Sequence, residues 1–408
     1  MNGAGKKVVV VTNSSSYEPR AEWVGELFKQ QGAQVLWVET DFIHREKVKK
    51  VRSAPDHMYI DTVPYRRNLS VRRLYSQYDF ARKAEKILEK EQADMVYMIL
   101  PANSLAAAGD RLKRKMNRTV LVFDILDLWP ESLGGKKLQK LWPFQCWRRL
   151  RDDHLKAADL VITECHYFQK FINAKQEKTA VVYWPKEVPE GWKMEIPENE
   201  APENQVPVPE PQTALGNAGV NTPAVIHFAY LGSINNIIDI DGIVNFLEIT
   251  GKMTPVFLHV VGDGENRGLF EEKLKSKGIK AEFYGAVYEE AVKAEIFSRC
   301  MFGINMMKPG VCVGLTMKSI DYFCYGLPLV NNIPGDTWEL VKQEQIGINY
   351  QPDAALKCAQ KLLALAQSDR LKEIKYKMQS LYMKLFTQEA AENVIRERVF
   401  PLLEGGPK

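Results

Sequence analysis

The sequence has few residues of the kinds that build metal sites and disulfide frameworks. Its 408 residues include six cysteines and six histidines. The cysteines are dispersed and form no Cys-x-x-Cys pair, which favours reduced, buried thiols over a zinc site or a disulfide scaffold. The histidines do not cluster and show no metal-ligand spacing, so we predict no metal site and interpret each histidine as structural.

Long apolar runs are also missing. The run Val8–Val11 is too short for the core of a signal peptide, and nowhere are 18 consecutive residues apolar. We therefore expect a cytoplasmic protein without a membrane span. The net charge of +4 is too small to indicate nucleic-acid binding by itself. It hides an asymmetry, because His44 to Lys83 holds eleven Lys or Arg residues against four acids.

What the chain does contain is an alternation of strands and helices. The first half has six predicted strands, at 7–11, 34–39, 94–100, 120–124, 160–163 and 179–183. The second half has five, at 225–231, 256–261, 280–284, 302–306 and 327–330. Helical patterns lie between them. This alternation predicts an α/β protein with two doubly wound parallel sheets, and the length of the chain also favours two domains.

The predicted domain boundaries follow changes in composition. We assign residues 1–185 to a first domain and residues 224–390 to a second. Residues 186–223 are rich in Pro and Glu without a hydrophobic period, which indicates a linker or an insertion. The helical end of the chain, 391–408, is predicted to pack back onto the first domain.

One stretch in the second half combines a glycine loop, a short helix and a buried strand. Thr316 is a suitable N-cap for a helix at Met317–Tyr325, and Gly326 is a suitable residue to end it. Lys318 and Asp321 share a face of this helix. A lysine at a helix N-terminus suits a phosphate, and a carboxylate one turn later suits sugar hydroxyls. The alternative is a solvated surface pair.

This stretch is one of five segments that carry a family resemblance. They are Phe123–Ser132, Tyr230–Asn235, His259–Glu265, Phe283–Ala286 and Pro309–Asn332. In this order they resemble bacterial family 4 glycosyltransferases of the capsule and exopolysaccharide type. The resemblance implies the GT-B fold, in which two Rossmann-like domains face an interdomain cleft. It also implies that the second domain holds a nucleotide sugar, that the first holds the acceptor, and that transfer is retaining and metal-independent.

The resemblance places the donor site on loops of the second domain. The expected donor-binding residues are Gly232, Ser233, Asn235, Gly262, Gly264, Tyr284, Gly285, Thr316, Met317, Lys318 and Asp321. Tyr284 would contact the nucleobase, although it could equally be a core residue. The Gly262–Gly264 segment could equally be an ordinary turn. No cofactor is expected besides the nucleotide-sugar donor, which we predict to be UDP-linked.

Two departures from the family pattern affect this site. The family has a Glu-x7-Glu pair, whereas here Val313 occupies the first position and Asp321 the second. The segment Gly232–Asp239 also lacks the cations that normally neutralise the diphosphate. Lys318 is our candidate replacement, and we list it as catalytic because a leaving diphosphate needs a cation, N–H groups or a helix end.

The acceptor side is less defined by sequence. Asn13, Ser14 and Glu18 follow the first strand and should lie at the carboxyl edge of the sheet, where ligands bind in such folds. Asp127 ends the fourth predicted strand and is a candidate catalytic base, with a turn and capping network as the alternative.

Two basic segments of the first half predict contact with the inner face of a membrane. Leu138–Arg151 mixes tryptophans with cations, and Tyr65–Tyr75 is rich in arginine. A lipid-linked acceptor would explain both, and a solvated basic face is the alternative. The sequence thus predicts a hexosyltransferase acting on a lipid-linked or saccharide acceptor. A sugar-nucleotide epimerase and a degenerate GT-B subunit that binds a partner remain alternatives.

Overall fold

The structure is a computed structural model that describes residues 5–133, 139–194 and 225–405. It divides into two compact units. The first comprises Met1–Trp184, Gly310–Cys312 and Glu389–Lys408, and the second comprises Pro185–Pro309 and Val313–Gln388.

The first unit is built on a seven-stranded parallel sheet. The nine strands of this unit, seven of which form the sheet, are β1 (Lys7–Thr12), β2 (Gln34–Thr40), β3 (Phe42–Ile43), β4 (Val48–Lys49), β5 (His57–Ile60), β6 (Met95–Leu100), β7 (Val120–Ile125), β8 (Leu160–Thr163) and β9 (Thr179–Val181). The sheet order is β5-β2-β1-β6-β7-β8-β9, while β3 and β4 form a separate antiparallel ribbon. Every residue of β6 and β7 is buried, as expected of central strands covered on both faces.

The second unit has a six-stranded parallel sheet. Its strands are β10 (Ile226–Leu231), β11 (Val256–Val261), β12 (Lys280–Gly285), β13 (Phe302–Asn305), β14 (Leu329–Asn331) and β15 (Gly347–Asn349). They are ordered β12-β11-β10-β13-β14-β15. In both units, later strands lie on both sides of the first strand in the sheet. The prediction of two doubly wound parallel-sheet domains is therefore confirmed.

Helices connect these strands and end the chain. They are α1 (Glu18–Gln30), α2 (Val71–Glu91), α3 (Asn103–Lys115), α4 (Trp142–Asp152), α5 (His166–Gln169), α6 (Ile240–Gly251), α7 (Arg267–Ser276), α8 (Glu290–Ser298), α9 (Met317–Cys324), α10 (Asp336–Glu344), α11 (Ala355–Ala366), α12 (Arg370–Leu385), α13 (Gln388–Arg398) and α14 (Phe400–Gly405). Short 3-10 turns lie at Glu131–Leu133, Leu155–Ala157, Gln176–Lys178 and Pro352–Ala354.

The last two helices contribute to the core of the first unit. Ile395, Phe400 and Leu403 are buried in the same cluster as Val24 and Phe28. The rings of Phe28 and Phe400 lie 5.4 Å apart between centroids. The first unit is therefore completed by residues from the far end of the sequence.

The sequence prediction missed one strand in each sheet. β5 lies in the basic segment and has a single buried residue out of four, so it lacks an apolar run. β15 is only three residues long. Each is the edge strand of its sheet, where one side of the backbone has no partner strand and hydrophobic patterning is weak.

The Pro- and Glu-rich segment falls mostly outside the described residues, which resume at Val225. Its described beginning belongs to the second unit. The Lys186 N–H donates to the Phe386 carbonyl at 2.8 Å, and the Trp192 indole donates to the Cys324 carbonyl at 2.9 Å.

All six cysteines are free, and five of them are buried. The prediction of a buried thiol is wrong for Cys146, which is exposed on α4. Across the described ranges, no helix is both long enough and apolar enough to cross a membrane.

Candidate functional site

The predicted glycines of the second unit lie together at the carboxyl edge of its sheet. Gly232, Gly262 and Gly285 follow or end β10, β11 and β12 and have φ of 114°, 152° and 73°. The Gly232 N–H donates to the Val261 carbonyl at 2.9 Å, and the Gly262 N–H donates to the Gly285 carbonyl at 2.7 Å. A Cβ at Gly262 would lie 2.0 Å from the Gly232 oxygen. Close packing between loops therefore requires glycine at 262, with or without a ligand.

Backbone N–H groups of the loop after β10 are bonded to neighbouring loops. The Gly232 N–H is bonded to Val261, and the Ile234 N–H donates to the Asp263 carbonyl at 2.9 Å. Beside this pair, a Cβ at Gly264 would lie 2.6 Å from the Ile234 oxygen. These N–H groups hold neighbouring loops together, so they are not available to a phosphate.

Two polar residues of the same loop also make internal contacts. Ser233 is exposed and its carbonyl accepts from the Tyr230 hydroxyl at 3.0 Å. The Asn235 side-chain oxygen accepts from the Ile237 N–H at 3.1 Å. Both contacts fix the path of the loop, while the Ser233 side chain faces solvent.

Lys318 is a buried ammonium beside this loop. Its residue is 8% exposed, and its Nζ has no hydrogen-bond partner in the part of the chain that the structure describes. A Cβ at Gly232 would lie 3.9 Å from the Lys318 Cδ, and the Nζ lies 5.0 Å from the centroid of the Tyr230 ring. Burial lowers the pKa of Lys318 to about 7. A buried cation without a protein anion is costly, and an anionic ligand would relieve that cost.

Asp321 is also buried but is paired with other residues. Its Oδ1 accepts from Lys186 Nζ at 2.5 Å and lies 3.4 Å from Lys293 Nζ. Lys293 in turn binds Glu290 at 2.6 Å. The alternative prediction of a solvated Lys318–Asp321 surface pair is therefore wrong. Both residues are buried, and Asp321 pairs with other lysines. No sequence signal links Asp321 to Lys186, which lies 135 residues away.

The start of α9 has the predicted cap. The Thr316 hydroxyl accepts from the Ser319 N–H at 3.2 Å and also bonds to the Asn305 side-chain oxygen at 3.2 Å. Met317, the first helical residue, is 40% exposed, and Val313 is half-buried in the preceding loop. The capping contacts hold the helix N-terminus in place but leave the Thr316 hydroxyl already bonded.

Tyr284 takes part in a chain of side chains across the sheet. Its hydroxyl donates to Glu282 at 2.5 Å and lies 2.7 Å from His259 Nδ1. His259 Nε2 lies 2.8 Å from His227 Nδ1. The prediction that the histidines do not cluster is therefore wrong for this pair, because neighbouring parallel strands bring together residues 32 positions apart. Burial, with His227 adding to it, lowers the pKa of His259 to about 4.

The first unit contains a cavity of about 150 Å³ at the carboxyl ends of β1, β6 and β7. Its lining includes the predicted residues Asn13, Ser14 and Asp127. The other lining residues are Ser16, Tyr17, His44, Tyr65, Asn68, Arg73, Gln77, Pro101 and Trp129. Glu18 is not among them, because its carboxylate accepts from Arg52 Nη2 at 3.0 Å.

Carboxyl groups with raised pKa lie at this edge of the sheet. Burial raises the pKa of Asp127, although the Trp129 indole donates to its carboxylate and opposes the rise. Burial raises the pKa of Glu164 to about 8, and the Asp127 charge adds to that rise. The neighbouring Asp124 is fully buried and forms an ion pair with Arg20 at 2.9 Å. Sequence reasoning missed Glu164, which follows β8.

Arg73 is the principal cavity residue that sequence reasoning missed. It was counted among the surface cations of the basic segment, but it is 9% exposed. It belongs to the buried face of α2 with Gln77, Phe80, Ala84 and Leu88. That spacing of 4, 7, 11 and 15 residues is helical, so the pattern was present in the sequence.

The second predicted basic segment also turns one of its cations inward. Arg151 is 1% exposed and pairs with Glu131 at 2.9 Å. Arg148 also contacts Glu131, at 2.8 Å. Trp142 at the start of α4 is 75% exposed. The expectation that these arginines form an outward basic face is wrong for Arg151. Elsewhere too, the described residues hold no group of three His, Cys, Asp or Glu arranged for a metal ion.

Solved structures of glycosyltransferases share this architecture. The apo form of the lipopolysaccharide outer core galactosyltransferase WaaB is 14% identical, with a TM-score of 0.65 over 97% of this chain and 99% of that one. HepE from Anabaena in complex with UDP is 13% identical, with a TM-score of 0.64 over 97% and 100%. Sucrose-phosphate synthase from Thermosynechococcus elongatus is 13% identical, with a TM-score of 0.62 over 97% and 99%.

At these identities the likeness shows the fold alone, which is the GT-B fold of these glycosyltransferases. No protein-family model and no curated protein matches the chain. Membership of family 4 therefore stays a prediction.

Proposed function

We propose that this chain is a retaining, metal-independent hexosyltransferase of cell-surface polysaccharide synthesis. It moves a sugar from a UDP-linked donor, held by the second unit, to a hydroxyl of a lipid-linked or saccharide acceptor, held by the first. The observation that carries the proposal is the ammonium of Lys318, which lies beside Gly232 and has no hydrogen-bond partner among the described residues. Structures with the same fold include HepE bound to UDP and glucose, which supports a UDP-linked donor.

The chemistry assigned to Lys318 is stabilisation of the leaving group. When the sugar departs, negative charge develops on the nucleoside diphosphate, and a preorganised cation lowers the energy of that state. The N-terminus of α9, which begins one residue before Lys318, adds its dipole. A hydrogen bond to a charged group contributes roughly 1.5–3 kcal/mol. Micromolar affinity needs about 8 kcal/mol, so other residues of the donor site must supply further contacts.

The chemistry assigned to the first unit is orientation of the acceptor hydroxyl. Asp127 lines the polar cavity together with Asn13 and Ser14. A general base works best when its pKa is near the operating pH, and burial raises the pKa of Asp127 in that direction. Asp127 would accept a hydrogen bond from the acceptor hydroxyl and take its proton as the new glycosidic bond forms.

Calorimetry with a panel of UDP- and GDP-sugars tests the proposal. We expect a UDP-sugar to bind, and we expect Lys318→Ala to weaken that binding about tenfold or more, the equivalent of one lost charged hydrogen bond. Lys308→Ala is the matched control, because Lys308 is an exposed lysine of the same unit. If no nucleotide sugar binds, the transferase proposal is excluded. An epimerase would instead interconvert the free nucleotide sugar without an acceptor.

One observation favours a second candidate, a GT-B subunit that binds and stabilises a partner. The carboxylate of Asp321, expected to bind sugar hydroxyls, already contacts two lysines, and Val313 replaces the first family glutamate. Such a subunit would bind no nucleotide sugar, so the same calorimetry separates the two candidates.

We also propose that the first unit contacts an anionic membrane surface. On α2, Val71, Tyr75 and Tyr78 are 83%, 56% and 48% exposed. Their spacing places them on one side of the helix. Arg72 and Arg82 are exposed on the same helix. Apolar side chains beside cations are the composition of an interfacial helix, and the contact would bring the unit to a lipid-linked acceptor.

A further inference from the structure

Arg73 is a buried guanidinium that no carboxylate of the described chain neutralises. The residue is 9% exposed, and no acidic oxygen of the described residues lies within 4.0 Å of its nitrogens. Its Nη1 donates to the Asn68 carbonyl at 2.9 Å. Its Nε is buried and has no hydrogen-bond partner within the described ranges. One donor of the guanidinium is thus removed from water and left unsatisfied, which is costly for a charged group.

The surroundings hold this guanidinium in position. Its Cζ lies 4.8 Å from the centroid of the Trp129 ring and 5.8 Å from that of Tyr65. Both rings line the same cavity as Arg73. Cation–π contacts of this kind fix the plane of the guanidinium without using its N–H groups. The buried Nε–H, which has no hydrogen-bond partner among the described residues, therefore stays free for a planar or tetrahedral anion.

Asp127, the nearby acid, does not neutralise Arg73. Asp127 lines the same cavity and interacts electrostatically with Arg73, but it forms no ion pair with it. Its carboxylate instead accepts from the Trp129 indole. His44 also lines the cavity, and burial, followed by the charge of Arg73, lowers its pKa to about 4. His44 is therefore neutral at pH 7, and Arg73 is the only cation among the lining residues that the structure describes.

We propose that the cavity of the first unit is an anion site in which Arg73 binds a phosphate or a carboxylate. If the proposed function holds, this group belongs to the acceptor, which is then a phosphate-linked lipid or an acidic sugar rather than a neutral saccharide. The cavity of about 150 Å³ admits one small polar group rather than a whole oligosaccharide. Asn13, Ser14 and Gln77 supply uncharged hydrogen-bonding groups around it.

Calorimetry on the full chain tests the site with three probes, namely inorganic pyrophosphate, glucuronate and glucose. We expect at least one of the two anions to bind and neutral glucose to bind at least tenfold more weakly. Arg73→Gln should reduce anion binding at least tenfold, and Arg73→Lys should restore only part of it, because a lysine keeps the charge but loses the planar fork. Pyrophosphate binding alone indicates a lipid diphosphate, and glucuronate binding alone indicates an acidic sugar.

A matched control lies elsewhere in the first unit. Arg118 is exposed and lines neither the cavity nor α2, so Arg118→Gln should leave anion binding unchanged. Should Arg73→Gln fail to fold, the Nε–H resonance of Arg73 in the ¹⁵N-labelled wild-type chain gives a second measurement. It is assigned by its loss in Arg73→Lys, and it should shift on adding the anion and not on adding glucose.

The inference is overturned if neither anion binds, if glucose binds equally well, or if the Arg73 resonance does not move. UDP-sugar binding is measured on the same preparations. Binding of a UDP-sugar without any anion binding would reject the anion site alone. Anion binding without any nucleotide-sugar binding would reject the proposed function and leave the site in place.

Discussion

Lys318 shows how one buried charge can link a binding site to pH. Its ammonium lies beside Gly232 and over the Tyr230 ring, without an anionic partner among the described residues. Burial lowers its pKa, and no charge of the described residues contributes to the shift. The neutral amine is therefore favoured in the empty site above pH 7. A bound diphosphate would favour the ammonium and raise the pKa again.

The binding of a UDP-sugar at pH 8 should therefore take up a proton. The free protein holds Lys318 largely neutral at that pH, because its pKa is about 7. The bound diphosphate restores the charge, so uptake should approach about one proton per site and affinity should fall as the pH rises from about 7 to 9. Calorimetry in buffers of different ionisation enthalpy measures the uptake. Lys318→Met should abolish it, and uptake that persists in this variant would assign the proton to another group.

Lys318 and Arg73 differ in how far sequence could predict them. The position of Lys318 relative to Thr316 and Gly326 identifies it from local sequence. Arg73 stands among other arginines, and only its place on the buried face of α2 separates it from Arg72. Contacts such as Asp321 with Lys186 arise from packing between distant segments, which sequence spacing does not encode.

At the scale of single elements, α2 has two functional faces. Its inward side carries Arg73 and Gln77 to the cavity, and its outward side exposes Val71, Tyr75 and Tyr78. The helix begins at Val71, so its first turns lie within the arginine-rich segment Tyr65–Tyr75, where arginines mask the helical period. The Ser70 side chain, which accepts from the Arg73 N–H, marks the start.

Replacing the exposed apolar residues of α2 should weaken membrane binding. We expect the double variant Val71→Ser, Tyr75→Ser to bind vesicles of phosphatidylglycerol and phosphatidylcholine at least tenfold less tightly, because each apolar side chain contributes roughly 1.5–3 kcal/mol when fully transferred. Vesicle flotation measures the change. Leu356→Ser removes an apolar side chain that is 57% exposed in the second unit and should have no effect. Equal binding by the α2 variant, or binding to neutral vesicles alone, would refute the proposed contact.

At the scale of the whole molecule, the first unit combines segments from the two ends of the sequence, Met1–Trp184 and Glu389–Lys408. Central strands were predicted well because burial on both faces produces continuous apolar runs, as in β6 and β7. The edge strands β5 and β15 lack that signal. The association of the chain's end with the first unit depends on contacts such as Phe28 with Phe400, more than 370 residues apart, which local patterning cannot specify.

Phe400→Ala should therefore destabilise the first unit, although the substitution lies at the end of the chain. Phe400 is 6% exposed and packs against Phe28 in the core beneath β1. Removing a buried phenyl ring leaves a cavity and costs about 3–5 kcal/mol, whereas Phe400→Leu should cost considerably less. Denaturant unfolding measures the loss, and limited proteolysis with mass mapping locates it. Early cleavage should fall within Met1–Trp184, while binding of a UDP-sugar by the second unit persists. Cleavage that starts instead in the second unit, or a loss below about 1 kcal/mol, would show that these last helices do not stabilise the first unit.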